Sequence, residues 1–282
     1  MSYDGHYEAR DCSMNEVAAV VFDWAGTMID FGCLAPIRAL QAAFAEEGLP
    51  ITAAQARKDM GRAKLDHVAA LLADPEISAA WSSRFGAAPG PEEIRPIYAR
   101  LEPLMRTEAA AHSQLIAGAA DLAAWLAAEG VKIGSSTGYT RDMMGGILPR
   151  AAAQGYAPQV VVCAGETREG RPSPLPMWKA LTDLAAYPAW RCVKIDDAAV
   201  GIEEGRAAGA WTIGVAVSGN GVGLSLEAWN ALPDTEKERL AASSESALWE
   251  AEADYVIATV AEAQEVIMEI DRRIGSGERP RG

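Results

Sequence analysis

Val17-Ala-Ala-Val-Val-Phe-Asp23-Trp-Ala25-Gly26-Thr27-Met-Ile-Asp30 is the stretch on which the reading of this chain turns. It opens as a Val-rich apolar run of strand length. It stops at a carboxylate, Asp23, with a glycine three residues later. Parallel strands of an α/β protein open at their carboxyl ends onto the crevice where ligands bind. Asp23 is then a carboxylate presented at a strand tip, with Gly26 and Thr27 offering backbone N–H groups to an anion. The other reading is an N-cap Asp closing a strand-to-helix turn. The segment alone does not choose between them.

Downstream, residues 34–112 read as helix after helix. Residues 35–47 carry Leu40, Ala43 and Phe44 at helical spacing and stop at Gly48. Residues 52–60 form a second predicted helix with Thr52 as N-cap. Three more are expected over 64–73, 77–85 and 92–111. No convincing strand interrupts them. From Ile116 the pattern alternates. Strands are predicted at 131–136, 160–163, 191–195, 211–217 and 254–257, with helices between and after them, one of them over 141–154 interrupted by Gly145-Gly146 and Pro149. Such alternation implies a parallel sheet covered on both faces. Residues 218–253 have no assigned place, and 1–14 and 276–282 read as loose tails.

The chain has 282 residues, half of them hydrophobic, enough for a real core. Its net charge of −14 argues against nucleic acid and anionic membrane surfaces as partners. A small anionic substrate is still compatible, because a few local cations dominate a pocket. No stretch has transmembrane length without charge, and the first residues do not read as a signal peptide. Four scattered cysteines, Cys12, Cys33, Cys163 and Cys192, lack metal-ligand or disulfide spacing, which fits a reduced, cytoplasmic setting.

Several predicted strand tips carry polar groups: Asp23, Ser136-Thr137 and Asp196-Asp197. Carboxylates from two strands make a hard oxygen site suited to Mg²⁺. A hydroxyl at Thr137 and a cation at Arg171 would bind a phosphoryl or phosphonyl group. Each residue has an ordinary reading as well, Thr137 as a helix cap and Arg171 as a surface ion pair. Four of them converging in this order is the stronger signal.

Asp23 with Gly26-Thr27, then Thr137, Arg171 and Asp197, resembles the four motifs of the haloacid dehalogenase superfamily. Within it the chain is most similar to the phosphonoacetaldehyde hydrolase (phosphonatase) family. Phe22-Asp-Trp-Ala-Gly-Thr27 and Asp30-Phe-Gly-Cys33 resemble that family's first motif, and Met60-Gly-Arg-Ala-Lys64-Leu-Asp-His67 its cap segment. Thr137-Gly138-Tyr139-Thr-Arg141 resembles the second motif and Gly170-Arg171-Pro172 the third. The similarity runs from about residue 17 to about 270. It implies a Rossmann-like doubly wound parallel sheet over 15–33 and 113–275, an inserted all-helical cap over 34–112, and a homodimer.

The resemblance also implies roles. Asp23 would attack phosphorus, Mg²⁺ would sit on Asp23, the Ala25 carbonyl and Asp197, and Gly26, Thr27, Thr137, Gly138 and Arg171 would bind the phosphonyl group. Lys64 would form a Schiff base with an aldehyde, bordered by Met60, Cys33 and Tyr139, with His67 as base or proton relay. The chemistry can be argued beside this. The superfamily's phosphatases carry a second Asp two residues after the nucleophile to protonate a departing alkoxide, and Ala25 has no proton to give. A carbon leaving group fits, provided its electrons have a sink, and an imine on Lys64 is one. Met60, Lys64 and His67 fall on one face if the segment is a continuous helix, which Gly61 weakens. Otherwise Lys64 reads as a solvated helix lysine, His67 as a surface or capping histidine, Met60 and Cys33 as core, and Tyr139 as a packed aromatic.

One departure stands out. Where the family pattern has a second Asp four residues after Asp197, this chain has Gly201, and it has an extra carboxylate at Asp196. That predicts an altered metal environment, room for an Asp at 201, or a different substrate. The rival readings are a phosphonatase for another phosphonate aldehyde and a catalytically silent phosphonate-binding sensor.

Overall fold

The computed structural model describes residues 14–281. Six parallel strands form one sheet in the order β3-β2-β1-β4-β5-β6. Strand β1 (Ala19–Phe22) lies inside it, between β2 (Lys132–Ser136) and β4 (Cys192–Asp196). Outward lie β3 (Val160–Val162) on one side, and β5 (Trp211–Val215) and β6 (Tyr255–Ile257) on the other. The period-two alternation of β1 divides the interior. Val20 and Phe22 face the larger core with Leu122, Leu126, Ile267 and Ile270, whereas Ala19 and Val21 face a second one with Met177, Ala180 and Leu181. Burial on both faces explains why the strand reads as a continuous apolar run. The chain runs from β1 to β2 and β3 on one side and then returns to β4 on the other side of β1, so the crevice of this sheet opens at the β1 tip.

Five helices, α1 (Leu34–Glu46), α2 (Ala53–Arg57), α3 (Lys64–Ala73), α4 (Pro75–Phe85) and α5 (Pro91–Ala111), fill the sequence after β1 with no strand among them. In α5, Ile97, Leu101, Met105 and Ala109 are buried at a spacing of four. That stripe packs against α1 and α3. Pro96 and Pro103 interrupt the helix ladder on its exposed side. Helix α6 (Ala119–Ala128) then returns to the sheet beside β2.

The structure corrects several boundaries. The helix expected over 52–60 ends at Arg57, although Thr52 caps it as expected, with Gln55 in a capping box. Met60 therefore lies in a turn and does not share a helix with Lys64, the first residue of α3. Gly61 is the reason: its φ is +93°, and a Cβ there would stand 2.5 Å from Val200 Cγ2. The segment over 141–154 divides into α7 (Arg141–Met144) and α8 (Leu148–Ala153), as its glycines and proline foretell. After α9 (Leu175–Asp183) and α10 (Ala199–Ala208), residues 218–253 find a place: α11 (Leu226–Ala231) and α12 (Asp234–Glu250), with Leu248 buried against Ile202 and Ala216. Past the last helix, read from sequence as a loose tail, Arg279 lies 3.5 Å over the Trp190 ring. Cys33, Cys163 and Cys192 are buried free thiols. Among the described residues no helix is long and apolar enough to cross a membrane.

Candidate active site

Register places the polar residues side by side. Phe22 pairs with Ser135 and with Ile195, so Asp23, Ser136 and Asp196 sit together at the strand ends. Asp23, Asp196 and Asp197 are buried, and one carboxylate oxygen from each falls within 4.8 Å of the others. Arg171, also buried, donates through Nη1 to Asp23 Oδ1 at 2.9 Å and to Asp196 Oδ2 at 2.8 Å. Beneath them Lys194 is wholly buried. Its Nζ reaches Ser136 Oγ at 2.8 Å, Glu204 Oε2 at 3.0 Å and Asp196 Oδ2 at 3.1 Å. Burial and the nearby Asp196 push Asp23 up to about 6, and burial, Asp23 and Asp196 push Asp197 well above the usual carboxylate range.

This chemistry fits a divalent cation. Four carboxylates, Asp23, Asp196, Asp197 and Glu204, face two cations, Arg171 and Lys194, so full ionisation would leave two negative charges in excess, a load that a divalent cation would balance. The donors are hard oxygens. Asp196 is already engaged, with Ala198 N–H donating to Oδ1 at 3.0 Å and both cations on Oδ2. Asp23 Oδ2, Asp197 Oδ1 and the Ala25 carbonyl accept no hydrogen bond among the described residues. Asp197 is held by the Asn220 N–H at 2.6 Å on Oδ2.

The expected anion donors need correction. The Gly26 N–H donates to the Ile29 carbonyl at 2.7 Å and the Thr27 N–H to Trp24 at 3.3 Å, so both are used inside the turn. The N–H groups of Trp24, Ala25 and Gly138 donate to no acceptor among the described residues. Thr137 Oγ1 accepts from the Tyr139 N–H at 3.2 Å, which orients the hydroxyl.

Facing these strand tips is Lys64, 2% exposed. Its Nζ lies 3.8 Å from Met60 Sδ and 5.6 Å from the centroid of the Tyr139 ring. No carboxylate among the described residues lies within 4.0 Å of it. Burial, with Arg171 nearby adding repulsion, lowers its pKa to about 8. Burial pushes the Cys33 thiol and the Tyr139 hydroxyl well above their ordinary values, so both stay neutral. His67 lies behind Lys64. Burial first, then the Lys64 charge, lowers it to about 3, which keeps the ring uncharged. A cavity of about 20 Å³ is lined by Asp23, Ala25, Cys33, Met60, Lys64, Thr137, Gly138, Tyr139, Arg171 and Asp197. Of the residues singled out from sequence, Gly26, Thr27 and His67 do not line it.

A family model described as haloacid dehalogenase-like hydrolase matches residues 17–209. The chain belongs to the haloacid dehalogenase-like hydrolase family. Phosphonoacetaldehyde hydrolase of Paraburkholderia phytofirmans is 44% identical to it over 267 residues, 95% of this chain and 100% of that protein. Its counterpart from Syntrophobacter fumaroxidans is 42% identical over 264 residues, 94% of this chain and 95% of that protein. A crystal structure of a phosphonoacetaldehyde hydrolase-like protein from Oleispira antarctica superposes with a TM-score of 0.93 at 41% identity, covering 95% of this chain and 97% of that one. The resemblance read from the motifs is thereby established.

In this haloacid dehalogenase-like hydrolase, sequence reasoning missed Lys194, Glu204 and Asn220. A signal existed for the first: a lysine flanked by Val193 and Ile195, in a strand buried on both faces, needs charged partners. None existed for Asn220, whose loop has no period. Its side chain and backbone join Asp197 to Arg57 of α2, which donates to Asn220 Oδ1 at 3.0 Å and to the Gly32 and Gly223 carbonyls. The departure at Gly201 also resolves. The room for an Asp there is absent, because the Asp196 carboxylate occupies that space.

Proposed function

We propose that this chain is a magnesium-dependent phosphonoacetaldehyde hydrolase, converting phosphonoacetaldehyde and water to acetaldehyde and phosphate. The observation that carries the reading is Lys64: buried, without a carboxylate partner, of lowered pKa, and lining the same cavity as Asp23 and Arg171. The Lys64 amine adds to the aldehyde carbon and water departs, leaving a protonated imine. Asp23 attacks phosphorus, the C–P bond breaks, and its electron pair passes into the imine to give an enamine. The enamine takes a proton at carbon, and hydrolysis of the imine releases acetaldehyde and frees Lys64. A second water hydrolyses the aspartyl-phosphate. Ala25 supplies no acid, and none is needed at that place. The N–H groups of Trp24, Ala25 and Gly138, the Thr137 hydroxyl and Arg171 bind the phosphonyl oxygens. Mg²⁺ held by Asp23, Asp197 and the Ala25 carbonyl would supply charge neutralisation there.

In this reading residues 34–112 are a cap that brings Lys64 to the core and excludes water. Met60, Cys33 and Tyr139 keep the amine in apolar company. His67, set back from the cavity, stays uncharged beside Lys64. A homodimer in a cytoplasmic setting belongs to the same reading. The deciding assay is phosphate release from phosphonoacetaldehyde with Mg²⁺, set beside p-nitrophenyl phosphate. Rapid release from the first and little from the second is expected. The reverse order would overturn the reading.

The lowered pKa gives a pH profile with a definite sign. A lysine is reactive only when unprotonated, so kcat/KM should fall about tenfold per pH unit below the Lys64 pKa. It should level off just above about pH 8, far under the ordinary lysine value. A rate that keeps climbing towards pH 10 would show that Lys64 is not poised in this way.

A further inference from the structure

The charges behind Arg171 are more elaborate than a phosphonate clamp requires. Asp196 ends β4 with no exposed surface and lies across Gly201, the third residue of α10 (Ala199–Ala208). A Cβ at Gly201 would stand 1.9 Å from Asp196 Oδ2 and 2.0 Å from its Cγ. No side chain fits there while Asp196 keeps its place. Asp196 is in turn fixed on three sides, by the Ala198 N–H, by Lys194 and by Arg171. Lys194 is anchored by Glu204, and Ser136 donates to Glu204 Oε2 at 2.9 Å.

The effect falls on Arg171. A guanidinium facing Asp23 alone would pair with it through two parallel hydrogen bonds and occupy both oxygens of the nucleophile. Here a single nitrogen, Nη1, is shared between Asp23 Oδ1 and Asp196 Oδ2. Asp23 keeps its other oxygen. Arg171 Nε is buried without an acceptor, and Nη2 has none among the described residues. Both remain for an oxyanion.

We propose that Asp196 is a positioning residue for Arg171, admitted by the absence of a side chain at Gly201 and held by Lys194, Ser136 and Glu204. The two sequence departures, an extra acid at 196 and a missing one at 201, are then one exchange. This rests on the phosphonate-binding role of Arg171 proposed above.

The test uses inorganic phosphate as the probe, in the presence of Mg²⁺, with calorimetric Kd values and melting temperatures of the metal-free protein. Asp196→Asn keeps the shape and loses the charge. It should weaken phosphate binding roughly 10- to 100-fold, by analogy with the loss of a partner that orients a metal ligand. Gly201→Ala should lower the melting temperature in the native background and do so far less in an Asp196→Gly background, because the collision is with that one side chain. The exchange variant Asp196→Gly/Gly201→Asp should bind phosphate more tightly than either single variant. Native phosphate affinity in Asp196→Asn would overturn the proposal. So would equal costs for Gly201→Ala in the two backgrounds, and these two measurements stand even where the exchange variant does not fold. Neither readout depends on turnover, so a chain that fails to cleave phosphonoacetaldehyde still decides the matter through them.

Discussion

Lys64→Arg should lose phosphonoacetaldehyde cleavage by several orders of magnitude while the fold persists. Arginine preserves the positive charge and much of the length, but its guanidinium does not lose a proton at working pH and forms no productive imine. In the proposed reading the native site does the opposite, making the amine available by burying it with no carboxylate among the described residues within 4.0 Å. A direct trap accompanies the variant. Borohydride added with phosphonoacetaldehyde should inactivate the native enzyme irreversibly. Peptide mass mapping should find a reduced two-carbon adduct on Lys64, or a phosphonate-bearing one if reduction precedes cleavage. Turnover without an adduct, or a Lys64→Arg variant at native rate, would remove the Schiff base from the mechanism.

Asp23→Asn should abolish phosphate release, by on the order of 10⁴-fold or more, as loss of a covalent nucleophile does elsewhere. The amide keeps the size of the side chain and still accepts from Arg171, so the circular dichroism spectrum should match that of the native protein. In the proposed reading neither neighbouring carboxylate takes its place, since the free oxygen of Asp197 is kept for the metal. Asp196 is fixed by three donors, and Asp197 is tied to the loop at Asn220. Retention of more than a small fraction of activity would mean that phosphorus is attacked by something other than Asp23. Because Asp23→Asn leaves Lys64 untouched, borohydride should still trap the aldehyde in this variant, with the phosphonate attached. The two substitutions thus dissect carbon chemistry from phosphorus chemistry in one site.

Much of this was legible in the sequence, and the reason is local. A parallel strand buried on both faces must be apolar, and its end must turn. Asp23 therefore announces itself as a polar residue directly after an apolar run, and Thr137 and Asp197 as the last of a short polar cluster at a strand end. Lys64 was legible only through the motif around it, since a lysine opening a helix reads as solvated until something is seen to cover it. The misreadings have a common origin in contacts between distant segments. The role of Asp196 depends on an empty position five residues away, on a different element. Lys194 needs Glu204 from α10 and Ser136 from β2. The turn that takes up the Gly26 and Thr27 N–H groups closes on carbonyls that a linear pattern does not reveal. Gly61 showed where a helix would fail, but not that Met60 would return to the Lys64 ammonium from outside it.

The position of β1 inside the sheet has a consequence in time. During synthesis Asp23 emerges 148 residues before its Arg171 partner. Its neighbouring strands β2 and β4 come late as well, and contacts of such sequence separation form slowly. Until they do, Lys64 is an ordinary solvated lysine, protonated at neutral pH and indifferent to the aldehydes of the cell. In the proposed reading the amine becomes a reagent only after the chain has closed over it, so the growing polypeptide does not carry a reactive amine before it is enclosed.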